Sequence, residues 1–188
     1  MNIKEFYNKK FSQFGLDDFR SLYWGDKQGT SAKTRYSQIH QILPLNNNSI
    51  VEIGCGWGSF FDFGFKCKNY VGMDINENFI EIAKNKYPDK KWTTKFPKGC
   101  YDVCISSGVA GNRGGPAWNP DLLKEYLSSM FKIAGKVFVN FPSNRSDARS
   151  ENVEYFSPEY VLGETLNITH NVQLIHKNKF DFLLYYSH

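Results

Sequence analysis

A chain of 188 residues, 41% hydrophobic and 22% charged, is long enough to bury one complete core and too apolar to remain disordered. Its net charge of +4 comes from scattered Lys and Arg, so no basic block marks a nucleic-acid groove. No run of about eighteen apolar residues marks a membrane span, and the start, Met1-Asn2-Ile3-Lys4-Glu5-Phe6, has no apolar stretch behind its charges, which predicts a single cytoplasmic domain over residues 1–188.

Residues 1–48 read as a polar-aromatic helical segment that forms a lid or an edge helix, with Tyr36, Ile39, Ile42 and Leu43 at helical spacing. From Ser49 the pattern changes to short apolar runs between amphipathic helices, the signature of a parallel sheet with helical crossovers. The buried strands predicted are 50–53, 70–73, 101–105 and 136–139. Asn76 is a cap for a helix that buries Phe79, Ile80, Ala83 and Tyr87 and stops at Pro88. Asn119-Pro120 and Ser157-Pro158 repeat the device, with Pro in the first helical turn. The tail 171–188 holds two apolar stretches around Lys177-Asn178-Lys179 and reads as a hairpin that closes one sheet edge. Cys55, Cys67, Cys100 and Cys104 form no Cys-x-x-Cys pair and have no His at zinc-ligand spacing, which predicts reduced, mostly buried thiols and no metal.

The strongest chemical signal is the strand 50–53 running into Gly54-Cys55-Gly56-Trp57-Gly58 and then a helix. Glycines there let the backbone turn sharply and let a ligand lie against the peptide itself. Asp74 ends the next strand, where a carboxylate accepts both ribose hydroxyls of a nucleoside, and Ile75 beside it offers a face for adenine. A nicotinamide-binding loop wants its third glycine at position 59, where Ser59 stands; the third glycine comes one place early, at Gly58.

Glu52-Ile53-Gly54-Cys55-Gly56-Trp57-Gly58 resembles the first motif of class I methyltransferases that use S-adenosylmethionine (SAM), an acid, any residue, then Gly-x-Gly-x-Gly. The resemblance runs from about Ile50 to the C-terminus. It implies an α/β, Rossmann-like three-layer sandwich with a seven-stranded, mostly parallel sheet in the order 3-2-1-4-5-7-6, the last strand antiparallel, beneath the N-terminal helical lid 1–48. It also implies that the loop from Glu52 to Gly58 holds the methionine part of SAM, that Asp74 holds the ribose, and that Ser106 and Ser107, after the fourth strand, face the donor. S-adenosylhomocysteine (SAH) is then the product. The acid that many relatives place after the third strand, for the adenine amine, is missing from Trp92-Thr93-Thr94-Lys95, so that contact falls to backbone, to Thr93 or Thr94, or is not made.

Trp24-Gly25 with Arg35-Tyr36, and the tail segment 174–182, resemble a subset of small bacterial methyltransferases. That likeness implies a grip of Arg35 on the carboxylate of SAM, selects His176 as a base from among His40, His170, His176 and Asp181, and points to surface-polysaccharide tailoring. The acceptor is expected to be a small molecule or a saccharide, phosphate-bearing acceptors included. Ser106-Ser107-Gly108-Val109 stands where adenine-N6 DNA enzymes carry Asn/Asp-Pro-Pro-aromatic, and the chain has no Pro-Cys pair for a cytosine-C5 enzyme, so nucleic acid is disfavoured. Arg113, Arg145 and Arg149 are candidates to meet an anionic acceptor, and Asn140 to hydrogen-bond one or a neighbouring loop. A SAM-binding regulator without activity and a nicotinamide-dependent oxidoreductase are the competing readings, and monomer and homodimer both remain open.

Overall fold

The computed structural model describes residues 2–112, 118–177 and 180–188. Helix α1 (Ile3–Phe14) starts at a capping box, in which the Asn2 side chain accepts from the Glu5 N–H and the Glu5 carboxylate accepts from the Asn2 N–H. A 3-10 turn (Phe19–Leu22) and helix α2 (Thr30–Ile42) complete the N-terminal segment.

Then come β1 (Ser49–Ile53), α3 (Ser59–Asp62), β2 (Asn69–Met73), α4 (Glu77–Lys86), β3 (Lys91–Thr93), β4 (Tyr101–Ser106), α5 (Pro120–Phe131), β5 (Ala134–Pro142), α6 (Pro158–Leu166), β6 (Val172–Ile175) and β7 (Asp181–Ser187). The seven strands form one sheet in the order β3-β2-β1-β4-β5-β7-β6. The β1–β2, β1–β4, β2–β3 and β4–β5 pairs are parallel, and β7 lies antiparallel between β5 and β6. This is the expected Rossmann-like architecture. The expected caps are in place as well: Asn76, Asn119 and Ser157 accept from the N–H groups of Asn78, Leu122 and Tyr160.

Strand alternation sends side chains to two cores, one on each face of the sheet. Val51, Cys104, Val137, Val139 and Phe141 pack against Leu123, Leu127 and Met130 of α5 and Val161 of α6. Ile50, Val103, Ile105 and Phe138 pack on the other face against Ala32, Tyr36 and Ile39 of α2 and Phe60 of α3. A third cluster of Phe19, Trp57 and Phe79 joins the N-terminal segment to α4.

Two expectations need correcting. The helix after the glycine loop is a single turn, because Gly64 at φ 79° ends it. The thiols are not mostly buried: Cys55 and Cys104 are, but Cys67 is half-buried and Cys100, one residue ahead of β4, is exposed. The hairpin turn read at Lys177-Asn178-Lys179 lies partly outside the described residues. Among the described residues, no helix is long and apolar enough to cross a membrane and no cluster of potential metal ligands occurs.

Candidate active site

Where β1 ends, Gly54 takes φ 77°, and a Cβ there would stand 2.0 Å from Val109 Cγ2. Only glycine turns the chain here, and the turn aims successive backbone N–H groups at the end of β2. Gly54 and Cys55 donate to the Met73 carbonyl at 2.7 and 3.0 Å. Gly56 donates to Asp74 Oδ2, and Asn76 donates to Asp74 Oδ1, each at 2.9 Å. Asp74 therefore clamps the glycine loop to the second strand.

Each of its oxygens has taken one N–H and keeps a lone pair for an outside donor. Burial pushes the Asp74 carboxyl up to about 6, against the pull of the Asn76 and Gly56 N–H groups. Gly54, Cys55, Gly56, Asp74, Ile75 and Ser107 share the wall of one cavity, and Ile3 and Tyr7 of α1 line it as well. The buried hydroxyl of Ser107 has no partner there.

Other residues expected at the donor lie beneath this cavity. Glu52 is fully buried on the α2 face, where it accepts from Tyr36 at 2.6 Å and from Tyr70. Burial raises its carboxyl to about 7 despite those two hydrogen bonds. Trp57 is wedged edge-on to Phe19 and Phe79, with its indole N–H on Asp62 at 2.9 Å. Gly58, at φ 90°, leaves room for Trp92 and Tyr87, whose rings a Cβ would meet at 2.8 and 3.0 Å. Ser106 donates to the Ile53 carbonyl at 3.0 Å and pairs with the Tyr126 hydroxyl at 2.6 Å. Glu52, Trp57, Gly58 and Ser106 thus hold the loop from below, while Gly54, Cys55, Gly56, Asp74, Ile75 and Ser107 face the space.

A second cavity adjoins the first and shares Tyr7, Leu22, Trp24, Gly108 and Asn112 with it. Arg35 stands in the second, not the first. Its Nε donates to Asp181 Oδ2 at 2.5 Å, and its guanidinium lies 4.7 Å over the Trp24 ring. Its Nε is thus held by Asp181 and its guanidinium is stacked on Trp24 at the second cavity.

His176 is on neither cavity wall. Its ring packs edge-on to Phe182, a member of the core that contains Phe141 and Phe156, on the sheet face away from α2. Its buried Nε2 has no hydrogen-bond partner there. Arg145 pairs with Glu159, and Arg149 donates to the Asn144 carbonyl and lies over Tyr155, so neither reaches the cavities; Arg113 lies outside the described residues. Thr93 exchanges hydrogen bonds with the backbone of Lys95 instead of facing the donor space.

Sequence reasoning read residues 1–48 as a lid or an edge helix but singled out none of the α1 residues at the cavity. Tyr7 accepts from Asn112 Nδ2 at 2.7 Å, and burial, reinforced by the Asp74 charge, holds its phenol well above the ordinary range. Asn8 of α1 accepts from the side chains of Asn76 and Asn78, and Lys4 pairs with Glu77 at 2.6 Å, so α1 is fastened to the start of α4 over the donor cavity.

The sheet order, the glycine turn at β1 and the clamped carboxylate after β2 together define the class I methyltransferase architecture. A model of the methyltransferase domain matches residues 51–113, the segment that contains these features. No curated protein matches the chain. Among solved structures, it is similar to magnesium protoporphyrin IX methyltransferase from Synechocystis with bound SAM, at 16% identity over 100% of this chain and 97% of that one, with a TM-score of 0.69. It is similar also to a TehB-like SAM-dependent methyltransferase from Corynebacterium glutamicum, at 15% identity over 98% and 97%, TM-score 0.62. A third likeness is to a SAM-dependent methyltransferase from Clostridium acetobutylicum, at 11% identity over 96% and 98%, TM-score 0.66. These are likenesses of fold. The domain match covers the segment that holds the glycine turn and Asp74.

Proposed function

We propose that this chain binds SAM in the first cavity and transfers its methyl group to a small-molecule acceptor, saccharides included. The observation that carries the reading is Asp74, a half-buried carboxylate on the cavity wall that has spent one lone pair of each oxygen on backbone N–H groups and keeps the others for a ligand. The residues present fit the donor. Asp74 would take the ribose hydroxyls, Ile75 and Phe79 the adenine, and the backbone at Gly54 and Gly56 the methionine part. The unpartnered Ser107 hydroxyl would offer a further polar contact.

When bound, SAM supplies an electrophilic methyl on sulfur, so the chain's own work is positioning and exclusion of water. Tyr7 and Ile3 of α1 roof the donor, which makes the N-terminal segment a lid in function as well as in position. Trp24 and Leu22 form part of the boundary between the two cavities. Surface-polysaccharide tailoring is one setting that accommodates such an enzyme. Thermal shift followed by a methyl-transfer screen with sugars, amines and phenols tests the reading, since a ligand that binds only the folded state raises the melting temperature. Stabilisation by SAM and SAH with turnover on one panel is expected. Stabilisation by NAD alone would contradict it, and SAM binding without turnover on any panel would make the chain a regulator instead.

A further inference from the structure

On the α2 face of the sheet the central strands change character together towards their carboxyl ends. Ile50 is followed two residues later by Glu52, Ile105 by Ser107, and Phe138 by Asn140, so apolar positions give way to polar ones on three adjacent strands. Glu52 is satisfied by two tyrosines, and Ser107 faces the donor cavity. Asn140 lines the second cavity, is only 2% exposed, and has no hydrogen-bond partner for either Oδ1 or Nδ2. A buried carboxamide with both atoms idle is costly and is not kept for packing, which an apolar residue would serve better.

Three other polar side chains on its walls are engaged. Tyr23 pairs with Ser150, Asn112 donates to Tyr7, and Arg35 is paired with Asp181. Arg35 carries the sole charge among the described residues that line the cavity, and Asp181 neutralises it. Among the described lining residues the net charge is thereby offset, which favours a neutral occupant over an anion. The cavity holds about 170 Å³ and is lined by Trp24 and Tyr7, comparable to the roughly 150 Å³ that houses one benzene ring in an engineered core.

Resting on the reading of the first cavity as the SAM site, we propose that the second cavity is the acceptor subsite and that the Asn140 carboxamide binds a neutral, hydroxyl-bearing ring. One hydroxyl suffices to satisfy both amide atoms, because it donates to Oδ1 while it accepts from Nδ2. A phenol and a pyranoside share that chemistry, and the cavity's flat apolar walls suit either.

Titration calorimetry on the full chain saturated with SAH tests the assignment, with four probes: 2-hydroxybenzamide, methyl glucopyranoside, benzoate and phenyl phosphate. At least one of the two neutral probes is expected to bind, and to bind tighter than both anions; which neutral probe wins tells a phenolic from a saccharide acceptor. Asn140→Leu, apolar and similar in size, is expected to weaken that probe by roughly ten-fold or more while SAH affinity stays at the wild-type value. Tighter binding of an anion, no binding of either neutral probe, or an Asn140→Leu protein that binds the neutral probe like wild type would each overturn the assignment. Failure of wild type to bind SAH would instead strike the reading of the first cavity. Should Asn140→Leu not fold, the wild-type protein still decides: the Asn140 side-chain NH₂ resonance must move on saturation with the neutral probe, and a resonance that stays put refutes the contact.

Discussion

The two cavities are made differently. The floor of the donor side is largely a stretch of local chain, residues 50–75, in which the Gly56 N–H of one turn meets a carboxylate eighteen residues away. The neighbouring side is assembled from side chains far apart in sequence: Tyr7 reaches Asn112 across 105 residues, and Arg35 reaches Asp181 across 146. A site built from backbone tolerates few residues at its turn, and its chemistry is fixed wherever the turn forms. One built from distant side chains is free to vary, which is how a single donor fold serves many acceptors.

Substitution at the turn is the sharpest way to break the donor half. Gly54→Val forces a β-branched residue into positive φ and its Cβ onto Val109. It is expected to cost about 2 to 5 kcal/mol in urea unfolding and to abolish SAH binding; a stable variant that binds SAH would mean the turn is not needed.

Next in size is the pH response of the protein without ligand. Glu52 has its carboxyl raised from 4.5 to about 7 by burial, and Asp74 from 3.8 to about 6. Both folded values lie above the unfolded ones, so the protonated forms favour folding. That contribution is complete below about pH 4 and is lost as pH rises through 6 and 7. Urea midpoints should fall between pH 5 and pH 8, and Glu52→Gln should flatten the fall by on the order of 3 kcal/mol. A wild-type profile that rises over the same interval would show Glu52 ionised and stabilised.

Asp74→Ala removes the carboxylate proposed to hold the ribose and is expected to weaken SAH by about 1.5 to 3 kcal/mol. It also releases the Gly56 N–H, so hydrogen exchange at Gly56 should quicken. Smallest is Tyr7→Phe, which strips the acceptor from Asn112 and should cost about 1 kcal/mol of stability. Because the aromatic roof remains, SAH affinity should hardly change; a large loss of SAH affinity would place the hydroxyl itself on the donor.

How much of this could be read from the chain follows the same division. Periodicity and caps located the sheet and its helices, since Asn76, Asn119 and Ser157 act within their own turns. β5 runs from Ala134 to Pro142, beyond the expected 136–139, because pairing with β4 and β7 carries extended chain past the apolar run. The glycine turn and Asp74 were legible because their partners are near in sequence. That Glu52, Trp57 and Gly58 would support the loop rather than line the cavity was not, because a motif lists residues without saying which way each side chain points. Arg35 and His176 were read from resemblance; their surroundings, Asp181 and Trp24 for one and Phe182 for the other, are set by tertiary contacts with no local pattern. One signal was available and overlooked: the shift from apolar to polar at every second residue, Phe138 to Asn140 and Ile50 to Glu52, marks the sheet end at which a ligand sits.

The central claim is that a sulfonium nucleoside lies against the first strand's turn with its sugar on Asp74. Calorimetric titration of the purified chain with SAM, SAH and NAD, on wild type and Asp74→Ala side by side, tests it most directly. The account predicts heat from SAM and SAH, none from NAD, and a clear loss of SAH affinity in the variant. A silent titration with both sulfur ligands, or equal binding by the two proteins, would contradict it.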